Sequence, residues 1–161
     1  MESWLTFVRW AHVLAAASWL GEVVVINFVL VPVLGHLDTG SRERFVDAVF
    51  PKIFRLASVL STLTILTGLI LALRFSGEHL DLFTTTAWGR AILAGGTMGL
   101  LLTAFHFVME SRLERSIASH RKNPGASVAD DVLHRLRVIP RVGLVVLLVI
   151  FGLMMYAARG L

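Results

Sequence analysis

Two histidines and a glutamate stand in surroundings where lipid alone would select none of them. His12 and Glu22, with Asn27 close by, lie in the apolar run from Trp4 to Leu34, and His106 lies in a later apolar run. Ionisable groups inside such runs are costly, face the interior of a bundle and mark candidate functional sites. The chain has no cysteine, which excludes disulfides, thiolate metal sites, iron–sulfur clusters and covalent c-type haem attachment. Any metal or haem must use His, Met, Asp, Glu or Tyr. Imidazole suits haem iron and copper, and thioether suits haem or Cu(I). His12 with Met155, or with Met154, is a candidate axial pair for a b-type haem, and Arg9 and Arg90 are candidate propionate ligands. His12, His106 and Glu22 are the candidate metal ligands, with copper the alternative to haem. The competing structural readings are a His12 bonded to a backbone carbonyl and methionines that only fill the core. Glu22 needs a partner, for which His106 or Arg141 is simplest; otherwise Glu22 and His106 form a second site or a proton path.

The elements that must position these residues follow from hydropathy. Of the 161 residues, 56% are hydrophobic and 16% charged, against about 25% charged in a soluble domain, and the mean hydropathy is +0.76. A bilayer core takes about 20 helical residues. Four helices of at least that length are predicted, over about 4–34, 51–74, 88–110 and 132–159, in a single all-α transmembrane domain covering 1–161. Pro51 suits the first turn of the second helix, and 43–52 reads as a short surface helix ahead of it. The hydroxyls Ser58, Ser61, Thr62, Thr64 and Thr67 read as close-packing residues. Gly95 and Gly99 give a small-residue face to the third helix, Asn123-Pro124-Gly125 a turn, Asp130 and Asp131 a helix start, and Pro140 a kink in the fourth. The N-terminus lacks a basic n-region, and its apolar run is too long for a cleaved signal.

Lys and Arg set the expected orientation. The first and third connections and adjoining helix ends hold Arg42, Arg44, Lys52, Arg55, Arg112, Arg115, Arg121, Lys122, Arg135, Arg137 and Arg141; the other side holds Arg9, Arg74, Arg90 and Arg159. The positive-inside rule puts the first set in the cytoplasm and both termini outside. His12 then lies near the outer face and His106 near the inner one. Their separation along the membrane normal is roughly 15–20 Å, too far to share one iron.

Trp10-Ala11-His12 with Trp19 and Gly21, a W-x-H-x6-W-x-G pattern, resembles the first helix of the copper-resistance protein D family and of the related HemJ-type protoporphyrinogen oxidases. Trp88-Gly89-Arg90, Ala104-Phe105-His106 and Val138-Ile139-Pro140 extend the resemblance over most of the chain. It implies a four-helix bundle with both ends outside and a b-type haem, with His12 matching a first-helix histidine and His106 a third-helix one. The HemJ-type lysine in the third helix is absent here, and Glu22 is an addition.

The resulting expectation is a multi-pass inner-membrane protein that binds haem b in a redox or electron-transfer role, with a redox partner or quinone and no nucleic acid. The alternatives are a copper-binding or copper-handling membrane protein, and a cofactor-free subunit that assembles, with itself or with others, through its Gly95/Gly99 face.

Overall fold

The computed structural model describes residues 3–122 and 129–159, with side chains described throughout these except at 113, 114, 116–122 and 129–137. The turn expected at Asn123-Pro124-Gly125 and the side chains of His120, Asp130, Asp131, His134, Arg135 and Arg137 lie outside the described residues. The described residues are almost entirely helical, with no strand among them. Four helical stretches are long and apolar enough to cross a membrane, Ser3–Leu34, Thr39–Ser76, Ala87–Arg112 and Val138–Arg159. Only 11–33% of each apolar window is buried inside the bundle. The remainder, including Leu66, Leu69, Leu101, Phe105, Val142 and Val145, faces outward and requires lipid around it.

The first span is interrupted by a wide turn. Helix α1 (Ser3–Val25) passes into a π-helical turn at Ile26–Leu30 and then α2 (Val31–Leu34). Pro32 follows that turn. A proline has no N–H and its ring crowds the carbonyl four residues back. Widening the preceding turn relieves that crowding, and Val31 N–H reaches back to Ile26 O. Asn27 sits in the turn and donates from Nδ2 to Val23 O at 2.8 Å and to Pro140 O at 2.9 Å. One amide thus ties the π-helical turn of the first span to Pro140 in the last.

Helix α3 (Thr39–Ser76) is longer than the expected 51–74. Asp38 caps it, accepting from Ser41 N–H at 3.0 Å, and the expected surface helix at 43–52 is its opening turns. Pro51 therefore lies inside the helix rather than at its start. The reason is packing: Phe50, fully buried, joins Leu34, with Leu37, Phe45, Val46 and Phe54 around them in a small separate core. Arg42 fastens the turn, donating to Leu34 O and Leu37 O at 3.0 Å each. Gly77, at φ 57°, ends α3 in a left-handed conformation suited to glycine.

A short helix α4 (Leu82–Thr85) leads to α5 (Ala87–Lys122), and α6 (Ala129–Arg159) completes the chain. Thr86 caps α5 by accepting from Gly89 N–H at 3.0 Å. Around the bundle the order is α1, α3, α5, α6, with α6 returning to α1 along a thinner seam. All neighbours are antiparallel: His12 meets Gly68, Ser58 meets Glu110, Ile65 meets Gly99, and Met154 meets Gly95. Ser3 and Arg159 therefore lie at one end, the terminal end, and the Leu34–Thr39 turn lies at the other, the loop end. The central core is Trp19, Val23, Leu102, Leu147 and Ile150. Gly95 and Gly99 are consumed within this chain, against Met154 and Ile65, so their face is not presented to a second molecule.

Candidate functional site

His12 faces α3. Its Nδ1 lies 3.0 Å from Thr64 O and 3.1 Å from Thr67 Oγ1. A carbonyl only accepts, so Nδ1 carries the proton. Thr67 Oγ1 donates to Leu63 O at 2.6 Å and so also meets Nδ1 as an acceptor. The ring is fixed by this fork and by Gly68, where a Cβ would stand 2.9 Å from His12 Cε1. With Nδ1 committed, Nε2 of the neutral ring keeps its lone pair, as in metal-ligating histidines anchored by a carbonyl on the other nitrogen.

His106 is anchored in the same way within α5, Nδ1 to Leu102 O at 2.9 Å. Its ring meets that of Trp19 edge-on, centroids 5.8 Å apart. Around this contact lie buried polar atoms with no partner among the described residues: Trp19 Nε1, both carboxylate oxygens of Glu22, and Thr103 Oγ1. Glu22 is one turn beyond Trp19 on α1, and Thr103 one turn before His106 on α5. The expected bond from Glu22 to His106 or Arg141 is not formed, and Arg141 is exposed. One turn past His106, Glu110 accepts from the buried Ser58 hydroxyl at 2.7 Å.

Each of the other candidate haem residues has surroundings of its own. Met154 packs its methyl into the space beside Gly95, at the α5–α6 seam. Met155 is 54% exposed on the lipid-facing surface. Arg9 lies over the Phe75 ring, 5.3 Å from its centroid, and Arg90 donates to Thr84 O and Thr85 O at 3.2 Å each. Among the described residues no three of His, Asp and Glu converge as a metal-binding group, so His12, His106 and Glu22 do not form one ligand set. The residues that sequence reading missed are Thr64 and Thr67 as anchors of His12 and the Ser58–Glu110 pair. Their signal was present as hydroxyls spaced along one apolar helix, a pattern equally suited to close packing.

The family model described as copper resistance protein D matches residues 47–156. The chain belongs to the copper resistance protein D family. No curated relative and no solved structure matches it. The copper resistance protein D match takes in most of α3, all of α4 and α5, and α6 as far as Tyr156. It leaves His12 and Glu22 outside, although Thr64 and Thr67, which anchor His12, fall within it. A copper resistance protein D membership favours the copper reading over the haem one.

Proposed function

We propose that this protein handles copper within the membrane as a cargo, and that His12 is a contact on its route. The observation that carries this is the double anchoring of His12 Nδ1 by Thr64 and Thr67, which presents Nε2 as a ligand from inside a copper resistance protein D bundle. Cu(I) accepts imidazole and thioether donors. With thiolates ruled out by composition, a histidine is the strongest neutral donor the chain offers. A resident metal needs several convergent ligands, whereas an ion in passage needs one or two at a time. By the positive-inside rule the arginine-rich loop end is cytoplasmic, which puts His12 in the outer half of an inner-membrane protein.

The test is Cu(I) binding to purified protein in lipid nanodiscs, with metal analysis and an absorption spectrum on the same sample. Wild type is expected to retain copper, and His12→Ala to lose at least tenfold in affinity while keeping its helical content. Copper retained equally by the variant overturns the role of His12. A Soret band without copper overturns the reading in favour of haem.

A further inference from the structure

The orphaned groups at mid-bundle are not used by copper at His12, and they form a site of their own. Counting from Arg9, Glu22 lies roughly 20 Å along the first span, near the middle of the bilayer. Both its oxygens are buried without a partner among the described residues. The α1–α3 register is fixed by His12 against Gly68 near one end and by Leu34 with Phe50 near the other. Between these contacts Glu22 falls at the level of Ser58. Ser58 is 6% exposed and donates to Glu110 Oε2 at 2.7 Å. Glu110 lies half a turn from Arg112, where the apolar span ends.

We propose that Glu22 is an intramembrane proton-binding site that exchanges with the loop end of the bundle through Ser58 and Glu110. A carboxyl in this position is satisfied either by a proton or by a cation. A cation such as Ca²⁺ or Mg²⁺ takes six or more oxygen ligands, commonly from several carboxylates, and among the described residues no three of His, Asp and Glu gather at Glu22. A proton needs a single acceptor and a route. In the transfer, the Glu22 carboxyl, whose oxygens have no partner among the described residues, gives its proton to a bridging water, which passes one on to Ser58 Oγ as Ser58 gives its own to Glu110. Glu22 becomes a carboxylate, Ser58 is regenerated as a neutral hydroxyl, and Glu110 becomes a carboxylic acid that releases the proton to water at the span end. One proton moves and no electron does. The titratable and charged groups around the site are His106 and Glu110 from α5 and the exposed Arg141 from α6. α3 contributes the neutral Ser58 and Ser61 on its buried face and the exposed Arg55.

The experiment uses metal-free protein, so its failure is distinct from failure of the copper reading. Infrared difference spectra in lipid, recorded across neutral pH, read the carbonyl stretch of a protonated carboxyl. Vesicles holding a pH-sensitive dye read proton flux under an imposed potential. The expected result is a protonated-carboxyl band present in wild type and in Ser58→Ala and absent in Glu22→Gln, with flux reduced at least fivefold in both variants. Glu22→Gln is nearly isosteric, and circular dichroism and unfolding midpoints are read alongside. If Glu22→Gln is unfolded, Ser58→Ala carries the flux test and Glu22→Asp, expected to keep the band shifted, carries the spectral one. A band unchanged in Glu22→Gln, or a flux unchanged in a folded Ser58→Ala, overturns the proposal.

Discussion

Gly68 and His12 are a matched pair: a Cβ on Gly68 would stand 2.9 Å from Cε1 of the imidazole. The ring cannot simply swing away, because Nδ1 is held by Thr64 O and Thr67 Oγ1. Gly68→Ala must therefore break the fork or push α1 from α3. Overpacking of this kind costs about 1–3 kcal/mol. The expected result is a lower unfolding midpoint together with weaker Cu(I) binding, measured on one preparation. Wild-type affinity in Gly68→Ala would show that the ring position does not matter.

Thr67→Val separates the two anchors. It removes the hydroxyl and leaves Thr64 O in place, so Nδ1 keeps one acceptor. Stability should change by about 1 kcal/mol or less, in line with interhelical hydrogen bonds in membranes. Copper affinity should fall by less than in His12→Ala. Binding titrations on the three proteins give the ordering, and a Thr67→Val loss equal to that of His12→Ala would contradict it.

Asn27 bridges the π-helical turn to α6. In Asn27→Leu the bonds to Val23 O and Pro140 O are both lost. The expected destabilisation is roughly 1–2 kcal/mol, read by reversible unfolding in mixed detergent. A variant as stable as wild type would mean that the thinner α1–α6 seam does not depend on this amide.

The glycines of α5 should rank sharply. A Cβ on Gly89 meets the backbone of Leu82 and Phe83, which cannot yield without displacing α4. A Cβ on Gly95 meets the end of the flexible Met154 side chain, and one on Gly96 meets nothing. Gly89→Ala should be the most damaging, Gly95→Ala intermediate, and Gly96→Ala neutral or slightly stabilising through helix propensity. Thermal melts of the three variants decide the order.

Asp38 supplies a pH-dependent cap at the start of α3. Hydrogen bonding from the Ser41 side chain, and then from the Ser41 N–H, holds the carboxyl below its ordinary value of 3.8. A depressed carboxylate contributes stability that is fully present above the unfolded value and is lost as pH falls through the folded one. Fraying of the α3 start should therefore appear only below about pH 4. Amide exchange at residues 39–42 reads it, and Asp38→Asn should keep the cap but lose the pH dependence.

The four spans were legible because lipid imposes long apolar runs: the first span, Ser3–Leu34, and α6 fall close to their expected limits, while α5 runs on to Lys122, past the expected end at 110. The start of α3 was not legible. Residues 43–52 are charged enough to read as a separate surface helix, and Pro51 looks like a first-turn proline. Only the burial of Phe50 against Leu34, a contact distant in sequence, shows the helix to be continuous. His12, Glu22 and His106 were singled out correctly as inward-facing, since charge in an apolar run leaves few alternatives. A backbone carbonyl as the partner of His12 was among the readings, but which one was not, because the identity of Thr64 says nothing of where its carbonyl lies. Met154 and Met155 are adjacent, and helix geometry sends Met154 to the α5–α6 seam beside Gly95 and Met155 to the outer surface, a split that their shared side-chain chemistry does not report.

The length of α3 has a mechanical consequence. Its 38 residues rise about 57 Å, against a hydrocarbon core of about 30 Å. The opening turns carry the excess length, tied back to the first span by Phe50 against Leu34 and by Arg42 on Leu34 O and Leu37 O. Further along the same rod, Thr64 and Thr67 hold His12. A partner pulling on the protruding arm would therefore shift the imidazole directly, with the bilayer as the fulcrum.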